Sequence, residues 1–322
     1  MSRGSLLSLL AVAATACGAE LDAADDLDPG DEATSADAEA EAAGRLELPR
    51  PPPLGALIVT LTFDDTYGEQ FEIAGQLAGM PSTFYVNSPR VSAAGSMTAA
   101  QLDALVAAGH EIGSHTLSHP HLPQLSAEQQ QAELCGDRDA LVALGHDPST
   151  IAYPFGDDSP EVRASARACG FAAARDVGGL RNADPWAAGR GYCGTAASSL
   201  DRPAAEQLPP ADHFAIRSRA SIRRSCTVDD LRDMVLAAAS DTDELALAEP
   251  RWLVLTFHDF CADCEASLAV DPARFAELVD WLRARGGVID VRGPDHGVIG
   301  RRPLVFRTVA DVVAASPPPS PG

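Results

Sequence analysis

After residue 56 the pattern of apolar and polar positions changes period again and again. Residues 57–62, Leu-Ile-Val-Thr-Leu-Thr, are an unbroken run of apolar and β-branched side chains that predicts a buried strand. Further strand-like runs occupy residues 83–87, 110–114, 150–153, 171–175, 214–217, 252–257 and 288–291, the last of the series. Helical periods fall between them. Thr98 caps residues 99–108, which stop at Gly109, and Ser126 and Gln129 stand in capping-box spacing before a helix to about Leu144. Residues 159–168, 228–239 and 272–284 complete the helices. This alternation predicts a parallel sheet with helices outside it, either open or closed into a barrel. Residues 178–210, rich in Gly, Pro, Ser and Asp, break the rhythm and read as a long loop able to shape a substrate site.

With 46% hydrophobic residues in a chain of 322, the periodic part can fill a core, but the two ends read differently. Arg3, the apolar residues 6–14 and Ala14-Thr-Ala16 before Cys17 have the layout of an export signal, with an apolar run too short to span a bilayer. Ala-Thr-Ala-Cys also resembles a bacterial lipoprotein signal. Residues 1–17 are therefore expected to be a signal peptide with a lipobox and Cys17 to carry lipid, simple cleavage after Ala16 being the alternative. Residues 18–55 predict a disordered tether: ten acidic residues and no basic one lie between Glu20 and Glu41, followed by Pro49-Arg-Pro-Pro-Pro53. Residues 56–310 are expected to form one catalytic domain and 311–322 a disordered tail. The protein is expected to be exported, to be a monomer, and to meet a membrane only through a lipid anchor on Cys17. A net charge of −22, with arginine as the only basic residue besides histidine, argues against nucleic acid or an anionic membrane surface as the main partner.

Four polar clusters stand where this pattern puts the C-terminal ends of strands: Asp64-Asp65, His115-Thr-Leu-Ser-His119, Tyr153-Pro-Phe-Gly-Asp157 and His258-Asp259. In parallel α/β architectures active sites assemble at that end. Two histidines four apart and a carboxylate make a two-His, one-Asp set suited to zinc with an open fourth position. Pro120 disfavours helical geometry at His119, so the His pair is expected on a loop.

These residues resemble a family. Thr62-Phe-Asp-Asp65, His115-Thr-Leu-Ser-His119, Tyr153-Pro-Phe-Gly156 and Leu255-Thr-Phe-His258 look like the ordered motifs of the polysaccharide deacetylases with a NodB homology domain, carbohydrate esterase family 4, over residues 57–291. The resemblance implies an α/β fold, a distorted (β/α) barrel of about seven parallel strands. It implies a hydrolase that removes acetyl groups, N-acetyl foremost, from an acetylated polysaccharide or oligosaccharide of the cell envelope or the environment. A divalent metal, usually zinc, would be held by Asp65, His115 and His119. Asp64 would be the general base, His258 the general acid, and the backbone N–H of Phe155 an oxyanion donor. A non-catalytic carbohydrate-binding protein with the same fold, or a metal-dependent hydrolase of non-sugar amides, is the alternative.

Two departures stand out. The family's third motif often begins with an arginine that braces the catalytic aspartate, and Ala152 holds that place; Arg175, on the next strand, is expected to supply the charge instead. The fourth motif, an Asp-Trp element, is matched only loosely by Asp184-Pro-Trp186, and packing in a loop is the reading preferred for Trp186. Without Cys17, six cysteines remain: Cys135, Cys169, Cys193, Cys226, Cys261 and Cys264. In an exported protein they predict up to three disulfides, with Cys261-Ala-Asp-Cys264 as one of them in preference to a redox or second zinc site. Of the remaining histidines, His110 is expected in a strand core and His121 on the rim of the site.

Overall fold

Strand β1 (Leu57–Phe63) is buried along its whole length, and its two faces enter different layers. Leu57, Val59, Leu61 and Phe63 pack into the apolar layer beneath the outer helices. Ile58 belongs instead to a cluster with Tyr85, Ala152, Ala173, Ile216, Trp252 and Val254, which are inward-facing residues of a barrel. The computed structural model describes residues 50–186, 190–195, 202–240 and 248–316; the expected signal segment and all but the last few residues of the tether lie outside them.

The barrel strands are β1, β2 (Thr83–Val86), β3 (Glu111–Ser114), β4 (Thr150–Ala152), β5 (Ala173–Gly179), β7 (Ile216–Ser218) and β8 (Arg251–Phe257). They run in the order β8-β1-β2-β3-β4-β5-β7, every neighbouring pair parallel. Past β7 the chain returns to β8: Arg219 N–H donates to Val254 C=O at 3.0 Å and Ile222 N–H to Thr256 C=O at 2.9 Å. Seven parallel strands thus nearly close on themselves. Strand β6 (Glu206–Gln207) adds a short antiparallel pairing to β8 from within the long loop. Outside lie α1 (Glu69–Ala74), α2 (Ala99–Ala107), α3 (Ala127–Ala143), α4 (Pro160–Ala168), α5 (Val228–Ser240) and α6 (Pro272–Arg283). Both N-terminal signals act locally, since Thr98 with Gln101 and Ser126 with Gln129 form complete capping boxes.

The C-terminal part differs from the sequence expectation. Strand β9 (Val288–Arg292) does not extend the parallel series; it forms an antiparallel hairpin with β10 (Val298–Phe306). Strand β10 then lies parallel to the first half of β1, with Leu57, Ile58 and Val59 opposite Leu304, Val305 and Phe306. Helix α7 (Val309–Ala315) follows, its Val309, Val312 and Val313 packed with Ile58 and Trp252 at the N-terminal end of the barrel. Glu111 holds it there, accepting from Ala310 N–H at 2.9 Å and Thr83 Oγ1 at 2.8 Å. A disordered tail from 311 is therefore corrected for residues 311–316. The valines of α7 are core side chains, and burying each contributes on the order of 1.5–3 kcal/mol. Helix α1 was likewise not anticipated, because six residues are too few to show a helical period.

Disulfides join Cys135 to Cys169, stapling α3 to the end of α4, and Cys193 to Cys226, stapling the long loop to the start of α5. The third expected bridge is corrected: Cys261 and Cys264 are free thiols, with Cys264 N–H donating to Cys261 Sγ at 2.9 Å.

Candidate active site

Inward-facing pairs on β1 and β8 become more polar toward the C-terminal ends. The register sets Ile58 beside Trp252, Thr60 beside Val254 and Thr62 beside Thr256. Trp252 Nε1–H donates to Thr60 Oγ1 at 2.9 Å, and the two threonine hydroxyls of the next pair lie 3.4 Å apart. One further step of period two brings Asp64 beside His258, whose Nε2 is 3.9 Å from Asp64 Oδ2.

Asp64 is 1% exposed and would be costly to bury alone. Arg175, fully buried on β5, meets it with Nη2 at 2.6 Å from Oδ1 and 2.5 Å from Oδ2. Ala152 and Arg175 are directly opposed on β4 and β5, so the small residue at the motif position leaves room for an arginine from the neighbouring strand. The guanidinium lies over the Tyr85 ring, 5.0 Å from its centroid. Gly113 makes space for that ring, since a Cβ there would come within 2.5 Å of it. Burial pushes the Asp64 carboxyl up, but Arg175, with His115 and His258, brings it below its ordinary value.

Asp65 leaves the strand at φ 77, and its Oδ1 lies 3.7 Å from His115 Nε2 and 3.6 Å from His119 Nε2. Three donor atoms, one from each residue, fall within 4.8 Å of one another. Tetrahedral donors about 2.0–2.2 Å from a zinc ion are themselves roughly 3.3–3.6 Å apart, so the set fits such an ion with little movement. His115 Nδ1 donates to Ala152 C=O at 2.8 Å, which leaves the Nε2 lone pair free to ligate. Burial pushes the His115 imidazole down to about 4 against the pull of Asp64 and Asp65, and pushes His119 down as well. Both rings are neutral near pH 7, as metal ligands must be.

The loops carrying these groups are strained and braced. Asp65, Thr66, Thr116, His119 and Phe155 account for five of the eight non-glycine residues at positive φ among the described residues. For β-branched Thr66 and Thr116 that conformation is a true outlier, of the kind that clusters at functional sites. Asn87 ties two of the loops together: its N–H donates to Thr66 Oγ1 at 2.9 Å, and its Nδ2 donates to His115 C=O at 2.6 Å and Thr116 C=O at 2.9 Å. Asp137, buried on α3, accepts from Ser88 N–H and Ser114 Oγ at 2.7 Å each and from His115 N–H at 3.2 Å. Asp137→Ala would leave those donors without their acceptor beneath His115. It is expected to lower stability by about 3 kcal/mol and metal affinity by roughly 10- to 100-fold, readable by urea unfolding and chelator competition.

Phe155 stands on the Pro154–Gly156 turn at φ 61, half exposed, with its ring 4.5 Å from that of His119 and stacked at 4.0 Å on that of His121. Gly156 sets the turn against β5, because a Cβ there would come 2.7 Å from Asp176 Oδ1 and Val177 N. His121 lies at this edge, its Nδ1 2.5 Å from Asp157 Oδ2. His110 is buried just ahead of β3 and accepts from Ser82 N–H. Asp184 and Trp186 are not part of this constellation. Asp184 pairs with Arg190, which also reaches Asp230 and Asp233 of α5, and Trp186 Nε1–H donates to Gly293 C=O at the β9–β10 hairpin.

Sequence reasoning missed Asn87, Asp137 and Gln70. Asp137 alone left a signal: it shares the apolar stripe of α3 with Leu134 and Leu141, a place where an unpaired acid would be costly.

Residues 53–174 match the family model described as polysaccharide deacetylase. YxkH of Bacillus subtilis (strain 168), assigned to the polysaccharide deacetylases, is 29% identical over 133 residues, 37% of this chain and 48% of that protein, so the chain spans about half the length of this relative. Among solved structures, a family 4 acetyl xylan esterase from Clostridium thermocellum in complex with a cobalt ion is similar over 79% of this chain and 89% of its own, at 18% identity and a TM-score of 0.46. A family 4 carbohydrate esterase from Streptomyces lividans in complex with acetate is similar over 78% and 99%, at 14% identity and a TM-score of 0.44.

Proposed function

We propose that the chain, whose residues 53–174 match the family model described as polysaccharide deacetylase, is a metal-dependent hydrolase removing acetyl groups from a polysaccharide, N-acetyl groups foremost. One observation carries the reading. Asp65, His115 and His119 converge on one point, while the adjacent Asp64 is held away from them by Arg175 and faces His258. A sugar-binding protein has no use for that division.

Asp65, His115 and His119 would hold a divalent cation, zinc foremost, which would supply the Lewis acidity to polarise an acetyl carbonyl and acidify water. Asp64, ionised because Arg175 keeps it so, accepts the proton of the attacking water. The Phe155 N–H serves as a fixed dipole for the oxyanion. His258 delivers a proton to the leaving amine, which departs poorly until protonated. The half-exposed Phe155–His121 stack offers a flat surface to a pyranose ring, which favours sugars over small amides. Export, with lipid on Cys17 and a tether through residue 55, would present the domain to envelope or environmental glycans.

Acetate release from a panel of N- and O-acetylated oligosaccharides and non-sugar amides tests this. We expect release from an oligosaccharide, its loss on chelation and its return with zinc. Sugar binding with no release of acetate would refute catalysis, and turnover confined to the amides would refute the substrate.

A further inference from the structure

We infer that Gln70 is a positioning residue that fixes the separation of Asp64 and His258, an inference that rests on the base and acid roles proposed above. Gln70 is the second residue of α1 and is fully buried. Its Nε2 donates to the backbone carbonyl of Asp64 at 2.5 Å and to that of His258 at 2.8 Å. These two residues lie one step past Phe63 and Phe257, the last register pair between β1 and β8, where Asp64 N–H still donates to Phe257 C=O at 3.0 Å. Beyond that bond, a side chain takes over the bridging that a ladder would otherwise do.

An amide suits this task. Its two N–H groups match two carbonyl acceptors, whereas the flipped amide would set its oxygen against both, so the network decides the orientation. The orientation has a cost: Gln70 Oε1 is buried and has no hydrogen-bond partner among the described residues. Buried acceptors without partners are rare and call for an explanation. Here it is that the amide must donate twice toward the strand ends. None of the four motifs quoted above includes this position, and the hydrogen bonds of Gln70 go to backbone carbonyls and not to Asp65, His115 or His119. Its influence runs through the distance between two groups that act on one bond, for which misplacement by about 1 Å can cost roughly 100-fold in rate.

Gln70→Met keeps the length and removes both donors. Gln70→Glu keeps the shape and presents only acceptors to the two carbonyls, and it serves if the Met variant does not fold. On the full chain loaded with zinc, and well below the melting temperature, kcat is expected to fall about 10- to 100-fold. KM and the zinc affinity from chelator competition should stay within about two-fold of wild type, because neither depends on this clamp. Crystal structures of the variants should show His258 Nε2 farther from Asp64 Oδ2 than the present 3.9 Å. A lower melting temperature with kcat and that separation retained would make Gln70 merely structural and overturn the inference. A loss of kcat that follows weakened zinc binding would overturn it as well. Should the wild type hydrolyse nothing while the variants still widen the pair, the proposed reaction falls and the clamp stands.

Discussion

Asp64→Asn is expected to leave zinc affinity within about three-fold of wild type and to cut kcat by roughly a thousand-fold, the middle of the range for loss of a general base. Asp65→Ala is expected to do the opposite first: zinc binding weakens, and activity returns in part as zinc is raised. The two residues are chain neighbours, yet they differ in every physical respect that matters. Asp64 is 1% exposed, faces into the barrel and is bonded through both oxygens to Arg175. Asp65 turns out at φ 77 toward two neutral imidazoles. Equilibrium zinc competition on apo-protein, paired with single-turnover rates at saturating zinc, separates the two effects. If both variants lose metal and rate together, the division of labour is wrong.

Arg175→Met should be the most damaging change outside the motif residues. Breaking a buried pair by removing one partner costs about 3–5 kcal/mol, because the other charge is left uncompensated. The pH dependence has a definite sign. Burial pushes the Asp64 carboxyl up, and Arg175 leads the influences that hold it below its ordinary value. Without Arg175 the carboxyl titrates at higher pH, so the acid limb of kcat/KM moves up and the fraction of usable base at neutral pH falls. In the wild type, the stability from this depressed carboxyl is present above the unfolded value of about 4 and is lost as pH falls through the lower folded value. In the variant, with burial no longer offset by Arg175, that contribution shrinks, so acidification should remove less stability than it does in the wild type. A pH–rate profile unchanged by Arg175→Met would remove Arg175 from the mechanism.

Much of this site could be read from the chain because strand period and chemistry coincide. Leu-Thr-Phe occurs before Asp64 and again before His258, and pairing the two runs in register puts those residues side by side. The position of Arg175 came from the resemblance instead: the family often has an arginine where Ala152 stands, and Arg175 lies on the next strand. What escaped notice depends on contacts far apart in sequence. Asn87 bridges loops that begin at Asp65 and His115, and Gln70 reaches across 188 positions to His258; no local period marks such bonds. The C-terminal hairpin was misplaced because an antiparallel β9 and a parallel β9 have the same apolar pattern. Only the partner strand tells them apart, and β10 carries Gly300, Arg301, Arg302 and Pro303 where a clear alternation would be.

Strand β1 divides one of its edges between two partners: residues 57–59 pair with β10 and residues 62–63 with β2, while β8 runs along the whole of the other edge. A ribosome delivers these partners at very different times. When β1 and β2 emerge, only the carboxylate end of β1 can be paired; the first half of that edge waits for residues 304–306, and Thr60 Oγ1 waits for Arg307 C=O. Closing contacts of that sequence separation is slow. The nascent chain therefore carries an unpaired apolar edge at residues 57–59 until residues 304–306 have been made, and that edge, open to a chaperone, lies on the strand that leads into the candidate active site.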